Sequence, residues 1–420
     1  MKTTAIYAAI LLALGGSAFA QTASINQFGA GNTATVTQTG NDAATTATIT
    51  QGTQSDTDGD SGLSTNNAAT INQTSVTGDT ATINQPDEAA GSTATINQAS
   101  DTGSSALVTQ DETTGSTATI TQASNNVDGS TATTASIDQE GAYSAGATIS
   151  QTSNMGATAT VYQSGSDTAT ITQDSTTLDN ASITQNDFDG SSAMISQTAG
   201  DQNSVATINQ NAGTDNTATV TQVSGLSNVA TINQTESQGS SATISQTNIQ
   251  NSQAGINQSG SADSASINQN DEGEGEGANL AANVTQTGNN DSANVTQEEF
   301  YNVATVNQGG MLNTANTFQE GSNNTLSITQ NGSNGSATIN QGVFDTEASN
   351  NNATIYQDMA SNMNSAEIDQ YGNSNAASIS QYGGDGVTTN VALVQQYANG
   401  DHATIVQAGG GGNQATIVQR

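Results

Sequence analysis

The 420-residue sequence contains no cysteine, no tryptophan and one proline, and only two of its residues are lysine or arginine. Without cysteine, neither a disulfide framework nor a thiolate zinc site can hold a fold together. The near absence of cations, set against 37 acidic residues and a formal net charge of -35, excludes nucleic-acid binding, because phosphate contacts need a basic surface. Large apolar residues are also scarce. Leu, Ile, Val and Phe number 62 of 420, and at this charge such a composition ordinarily signals disorder. After the first twenty residues there is no long hydrophobic run, so the chain is not expected to span a membrane.

The one apolar run lies at the start. Met1 to Ala20 carries Lys2, an uncharged stretch from Ala5 to Leu14 and the small-x-small triplet Ala18-Phe19-Ala20. This is the pattern of a secretory signal peptide, with residues 1–20 as leader and Gln21 as the mature start. Everything from 21 to 420 is then expected to form one repeat domain.

That domain is written in one phrase, Ala-x-Ile/Val-x-Gln, which with some editing ends 32 times between Gln27 and Gln419, mostly 11 to 13 residues apart. Fixed-period self-similarity implies a small unit stacked many times. Inside a copy the period is two: Ala34, Val36 and Gln38 fall on one face of an extended strand, and Thr33, Thr35 and Thr37 on the other. The same inward set recurs at Gln85, at Ile120 and Gln122, at Gln210, at Ile232 and Gln234, at Gln341, at Ile379 and Gln381, and at Gln419. β-Branched density favours strand, and the Gly, Asn, Asp and Ser clusters that follow nearly every Gln supply turns, with Gly29, Asn32 and Asn375 as examples. Pro86 follows Gln85 and so lies outside a strand interior.

One copy cannot fold alone. Burying an Ala and an Ile yields roughly 2 to 4 kcal/mol, less than the cost of ordering a dozen residues at about 1 to 2 kcal/mol each. Stacking solves this, because every second copy can lie above its predecessor and extend a continuous ladder. The expected fold is all-β, an amyloid-like β-solenoid of about 16 two-strand rungs with two facing parallel sheets, in which each Gln amide bonds the one about 4.8 Å above.

Five intervals are widened. Gln51 to Gln73 contains "SDTDGDSGLS", which is either a decayed strand or a long loop; the others end at Gln139, Gln286, Gln357 and Gln396 and read as loop insertions. Within the first, Asp56 to Gly62 is similar to a calcium loop, but Gly62 is one place late and Asn67 stands where a bidentate Glu belongs, so a solvated acidic turn is the better reading. His402, the only histidine, has no partner nucleophile or ligand set, and Glu274 and Glu276 have no positional partner for glycosidase chemistry. No cofactor, no metal and no catalytic residue is expected, and the protein is not read as an enzyme.

The segment "QFGAGNTATVTQ", Gln27 to Gln38, has the form Gln-x-Gly-x-x-Asn-x-Ala-x-Val-x-Gln, and "QYGNSNAASISQ", Gln370 to Gln381, repeats it with Ile. Asn32, Asn313, Asn324 and Asn375 keep the Asn five places after a Gln. This resembles the curlin repeat of curli, the functional amyloid of bacterial biofilms. The resemblance implies a secreted subunit exported through an outer-membrane pore, met by a nucleator subunit at the cell surface, and added head to tail to a fibre for biofilm matrix, surface adhesion and cell aggregation. Curlin major subunits usually carry a Gly/Asn-rich lead segment, whereas "QTASINQ" here enters the first strand directly, as in a nucleator; the nucleator's basic last repeat is matched only by Arg420. Major subunit is the preferred reading and nucleator the alternative. Gln419 and Arg420 finish the sequence inside a repeat with no capping element, from which end-on self-addition is expected. The outward Thr-x-Thr rows suggest a rival, an ice-binding solenoid, against which the position before Gln varies widely.

Overall fold

The computed structural model describes residues 8–12 and 21–420, apart from 42–43, 53–63, 87, 126–131, 272–277, 343–347, 360–361 and 384–387. These residues contain strands and turns and no helix, and all 32 copies of the phrase lie on strands. The chain falls into two compact units, Met1–Ala212 and Gly213–Arg420. The two units together comprise about 15 parallel-stranded solenoid turns, close to the 16 suggested by the copies.

In the first unit, Thr22–Gln27, Thr46–Gln51, Thr80–Gln85, Ser105–Asp111 and Thr134–Glu140 form one parallel ladder. The intervening strands Thr33–Thr39, Ala68–Thr74, Thr93–Ala99, Thr117–Ala123 and Gly146–Thr152 form the other. Register is kept residue for residue: Ala34 lies opposite Ala69, Val36 opposite Ile71 and Gln38 opposite Gln73. Because the side-chain period is two, a slip of one residue would turn this whole buried set outward, and the alternation therefore fixes the register. Thr158–Asp174 and Asn180–Thr198 each carry two copies, one for each ladder, joined at register shifts around Ser164, Ser166 and Thr168. The second unit repeats the design. Thr217–Val223 pairs with Ser241–Thr247, Val229–Thr235 with Gln253–Gln258, and the alternation continues to Gln414–Gln419.

The widened intervals do not disturb this parity. Thr33–Thr39 pairs with Ala68–Thr74 and Thr46–Gln51 with Thr80–Gln85, so the ladders close across residues 53–63 with no strand missing from either side. A lost strand would have put Ala68–Thr74 in the opposite sheet, so the long interval from Gln51 to Gln73 does not break the alternation of the flanking strands. The candidate calcium loop, most of the other four insertions, Glu274 and Glu276 lie outside the described residues. Of the expected leader, only Ala8–Leu12 lies inside them, as a short strand parallel to Thr33–Thr39 with Ala8 opposite Ala34 and Leu12 opposite Gln38. Among the described residues no helix is long and apolar enough to cross a membrane.

The turns explain one local need for glycine. Gly29 has φ +104°, and a Cβ there would collide with the carbonyl oxygen of Ser64 in the next rung. Tight stacking at that corner brings backbone to backbone.

Candidate assembly interface

The feature that could carry function is the axial surface of a rung, the set of groups that one turn offers to the next. Its apolar part is thin. Ala34, Val36, Ile120, Ile232 and Ile379 are all buried, each lying on an Ala, Val or Ile of the neighbouring rung. Two such residues per strand make a dry row along each sheet.

The polar part is larger. Gln27 Nε2 donates to Gln51 Oε1 at 2.7 Å, Gln51 to Gln85 at 2.8 Å, Gln85 to Gln110 at 2.7 Å and Gln185 to Gln210 at 2.7 Å. The other sheet of this unit has its own column, with Gln38 donating to Gln73 at 2.8 Å and Gln98 to Gln122 at 2.8 Å. In the second unit Gln234 donates to Gln258, Gln319 to Gln341, Gln381 to Gln407 and Gln396 to Gln419, at 2.8 to 2.9 Å. In each of these bonds the amide nitrogen points toward the later rung. The direction is fixed by a second bond, because the same nitrogen also reaches across the core to a strand-entry carbonyl of the facing sheet: Gln51 to Thr33 O at 3.2 Å, Gln73 to Thr46 O at 3.0 Å, Gln381 to Ser365 O at 3.1 Å. Each Gln thus stacks one sheet and staples it to the other, which satisfies a buried amide that would otherwise cost about 1 to 3 kcal/mol per unpaired group.

A second ladder runs through the turns. Asn67 N–H donates to Asn32 Oδ1 at 3.0 Å, Ser92 N–H to Asn67 Oδ1 at 2.9 Å, and Asp401 N–H to Asn375 Oδ1 at 2.9 Å. The amide nitrogens of Asn32, Asn67 and Asn351 donate to carbonyls, to Ser64 O at 3.0 Å, Ala89 O at 2.8 Å and Gly372 O at 2.7 Å. Searching five places after each Gln finds only part of this ladder. The constant spacing is two residues before the inward Ala, where Asn67, Asn216, Asn228 and Asn302 stand, because strand entry is invariant while the turn after Gln varies in length. At that position several rungs carry Asp instead.

The outer faces are less regular. Asn72 Nδ2 donates to Asn97 Oδ1 and Asn233 Nδ2 to Asn257 Oδ1, and the rings of Tyr371 and Tyr397 stack at 4.8 Å. Leu107 and Met194 are exposed within otherwise hydroxyl-rich rows, which breaks the flat Thr surface an ice-binding face needs. His402 opens the strand His402–Ala408, exposed, with Nδ1 3.0 Å from Gly400 O. No group of three or more metal-ligating side chains converges among the described residues.

Residues 362–386 match a family model described as the curlin associated repeat. This segment is similar to a curlin repeat. It contains Asn364–Gln370, a turn and Ala376–Tyr382, which is one rung with both ladder glutamines, Gln370 and Gln381, and the turn residue Asn375. No curated protein matches the chain. The match to this repeat and the β-solenoid around it support a curli-like structural repeat protein.

Proposed function

We propose that the protein is a secreted structural subunit that assembles head to tail into extracellular, curli-like amyloid fibres at the bacterial surface, where they serve matrix, adhesion and cell aggregation. The observation that carries this reading is the identity of register from rung to rung. Ala lies on Ala, Ile or Val on Ile or Val, and Gln on Gln, so the surface that one rung presents to the next is the surface any rung of a second molecule would present. Such self-complementarity is what a continuous cross-β stack requires. In the strand Gln414–Gln419 the same inward set, Ala415, Ile417 and Gln419, is half-buried. A nucleator subunit and an outer-membrane pore are the further partners proposed, and the residue 1–20 leader the proposed export signal.

Purified chain beginning at Gln21 is expected to convert to thioflavin-binding fibres with a reflection near ~4.8 Å along the fibre axis. A chain that stays monomeric and coil-like for days overturns the proposal. A second expectation concerns the leader. Because Ala8–Leu12 occupies the edge of Thr33–Thr39, chain that retains residues 1–20 is expected to show a longer lag than chain lacking them, measured by thioflavin kinetics; equal lags count against growth at that edge.

A further inference from the structure

In turns closed by asparagine such as Asn67, Asn216 and Asn302 the side chain does two things: Oδ1 accepts the N–H of the rung above and Nδ2 donates to a carbonyl there, whereas the Nδ2 of Asn41, Asn364 and Asn375 has no partner among the described residues. Asn313 shows both, with Gly335 N–H donating to its Oδ1 at 2.9 Å and its Nδ2 donating to Gly332 O at 3.0 Å. One rung earlier the same position is Asp291, whose Oδ1 accepts Asn313 N–H at 2.8 Å. Its Oδ2 has no hydrogen-bond partner among the described residues. It lies in the place of the missing amide: a Cβ built on Gly310 would be 2.9 Å from Asn313 Nδ2 and against Gly332 O, and one built on Gly288 would meet Asp291 Oδ2 and Gly310 O in the same arrangement. An acceptor therefore faces a carbonyl where a donor belongs.

The pattern recurs. Asp79, Asp179 and Asp263 each accept a backbone N–H from the next rung through Oδ1, from Ser104, Ser204 and Asp291 at 2.9 Å, and Asp101 accepts from Asn125 at 2.7 Å. All five side chains are buried, and each has an unpartnered Oδ2. We propose that these aspartates are proton-operated substitutes for asparagine, so that acidification, by placing a hydrogen on Oδ2, completes the turn ladder and stabilises the solenoid. This rests on the fold and not on fibre assembly.

The electrostatics agree. Burial pushes Asp101 and Asp179 up to about 7 and Asp79, Asp263 and Asp291 up to about 6, against the pull of the backbone N–H bonds they accept. The charges that act on them are other carboxylates, Asp79 on Asp101, Asp201 on Asp179 and Asp263 on Asp291. The stacked neighbours Thr45 and Ser104 around Asp79, Asn125 above Asp101, Ala157 and Ser204 around Asp179, Ser240 below Asp263 and Asn313 above Asp291 are uncharged. No Lys, Arg or His stands between Lys2 and His402 to act as counter-ion. The unfolded carboxyls ionise near 3.8, so between that value and 6 or 7 the folded state holds more protons. Stability from this source is full below the unfolded value, falls as pH rises through the window and is lost above about 7.

The test compares wild type with D79N/D101N/D179N/D263N/D291N and with a control in which five exposed acids are neutralised, E88Q/E112Q/D174N/D215N/E236Q. Denaturant unfolding of the folded chain from about pH 7.5 to about pH 5.5 is expected to show the wild-type folded-to-unfolded ratio rising by at least about tenfold. The asparagine variant should be flat across that range and the control should keep the wild-type slope. An infrared band of protonated carboxylic acid should appear in wild type near pH 6 and be missing from the asparagine variant. Should the five-fold variant fail to fold, Asn324→Asp serves, since Asn324 Oδ1 accepts Asn351 N–H at 3.0 Å and Nδ2 donates to Ala348 O at 2.7 Å. It should lose stability at about pH 7.5 and regain it near pH 5. An asparagine variant that keeps the slope, a control that loses it, or an Asn324→Asp penalty equal at both pH values overturns the proposal.

Discussion

With Ile232→Asp the second unit is expected to lose its stack at that rung. Ile232 is fully buried and lies on Ile256 of the next turn, in a core only two side chains deep. The substitution removes about 2 to 3 kcal/mol of apolar transfer and adds an unpaired carboxylate in a place with no cation to meet it, for a total on the order of 5 kcal/mol or more. In a compact globular core such a defect could relax around a water or a rotated neighbour. Here the ladders above and below hold the backbone in register, so the charge must either break the ladder or stay buried. Limited proteolysis and circular dichroism at neutral pH should show new cleavage near residues 229–235 and reduced strand signal, while Ile232→Val costs only about 0.5 to 1.5 kcal/mol and leaves both unchanged. Wild-type protease resistance in the Asp variant would argue that this row is not the core.

The contrast between these two substitutions also shows which parts of the fold are legible in the sequence. Ala34, Val36 and Gln38 can be placed inward from alternation alone, because the strand period of two leaves no other consistent arrangement. The repeat then dictates stacking, since no single copy can repay its ordering cost. What cannot be read is anything that depends on the separation of the two sheets. The bonds from Gln51 to Thr33 O and from Gln73 to Thr46 O cross the core, and only its thinness, set by Ala rather than a larger residue, brings them within reach. The turns were legible in part. Gly29 and Asn32 stand out as turn formers, yet that Asn32 belongs to a ladder through Asn67 emerges only once the turns are superposed along the axis. Likewise "SGSD" at 164–167 has turn composition, but the strand Thr158–Asp174 runs through it, because the neighbouring strand offers pairing on both sides of the corner. Local propensity there yields to the ladder.

Gln234→Glu is expected to be nearly as damaging as the core charge, for a reason that separates hydrogen bonding from size. Gln234 Nε2 donates to Gln258 Oε1 at 2.8 Å, to Thr217 O at 3.2 Å and to Ser240 O at 3.2 Å. Glutamate matches it in shape and replaces the donor with an acceptor, so three oxygens lose their hydrogen and face a buried negative charge. The cost at neutral pH is on the order of 3 to 5 kcal/mol, read as a fall in the denaturant midpoint. Gln234→Leu removes the same donor without adding charge and should cost less, about 1 to 3 kcal/mol. Acid distinguishes the two. Burial without a cation pushes the glutamate's pKa up, so the folded state takes a proton first, and stability should return as pH falls through the range between its folded and unfolded values. The return is incomplete, since one O–H cannot replace two N–H donors and either the ladder or the cross-core staple must stay open. A Glu variant as stable as wild type at neutral pH would mean that the amide columns follow from the stacking of the sheets and contribute nothing to holding them together.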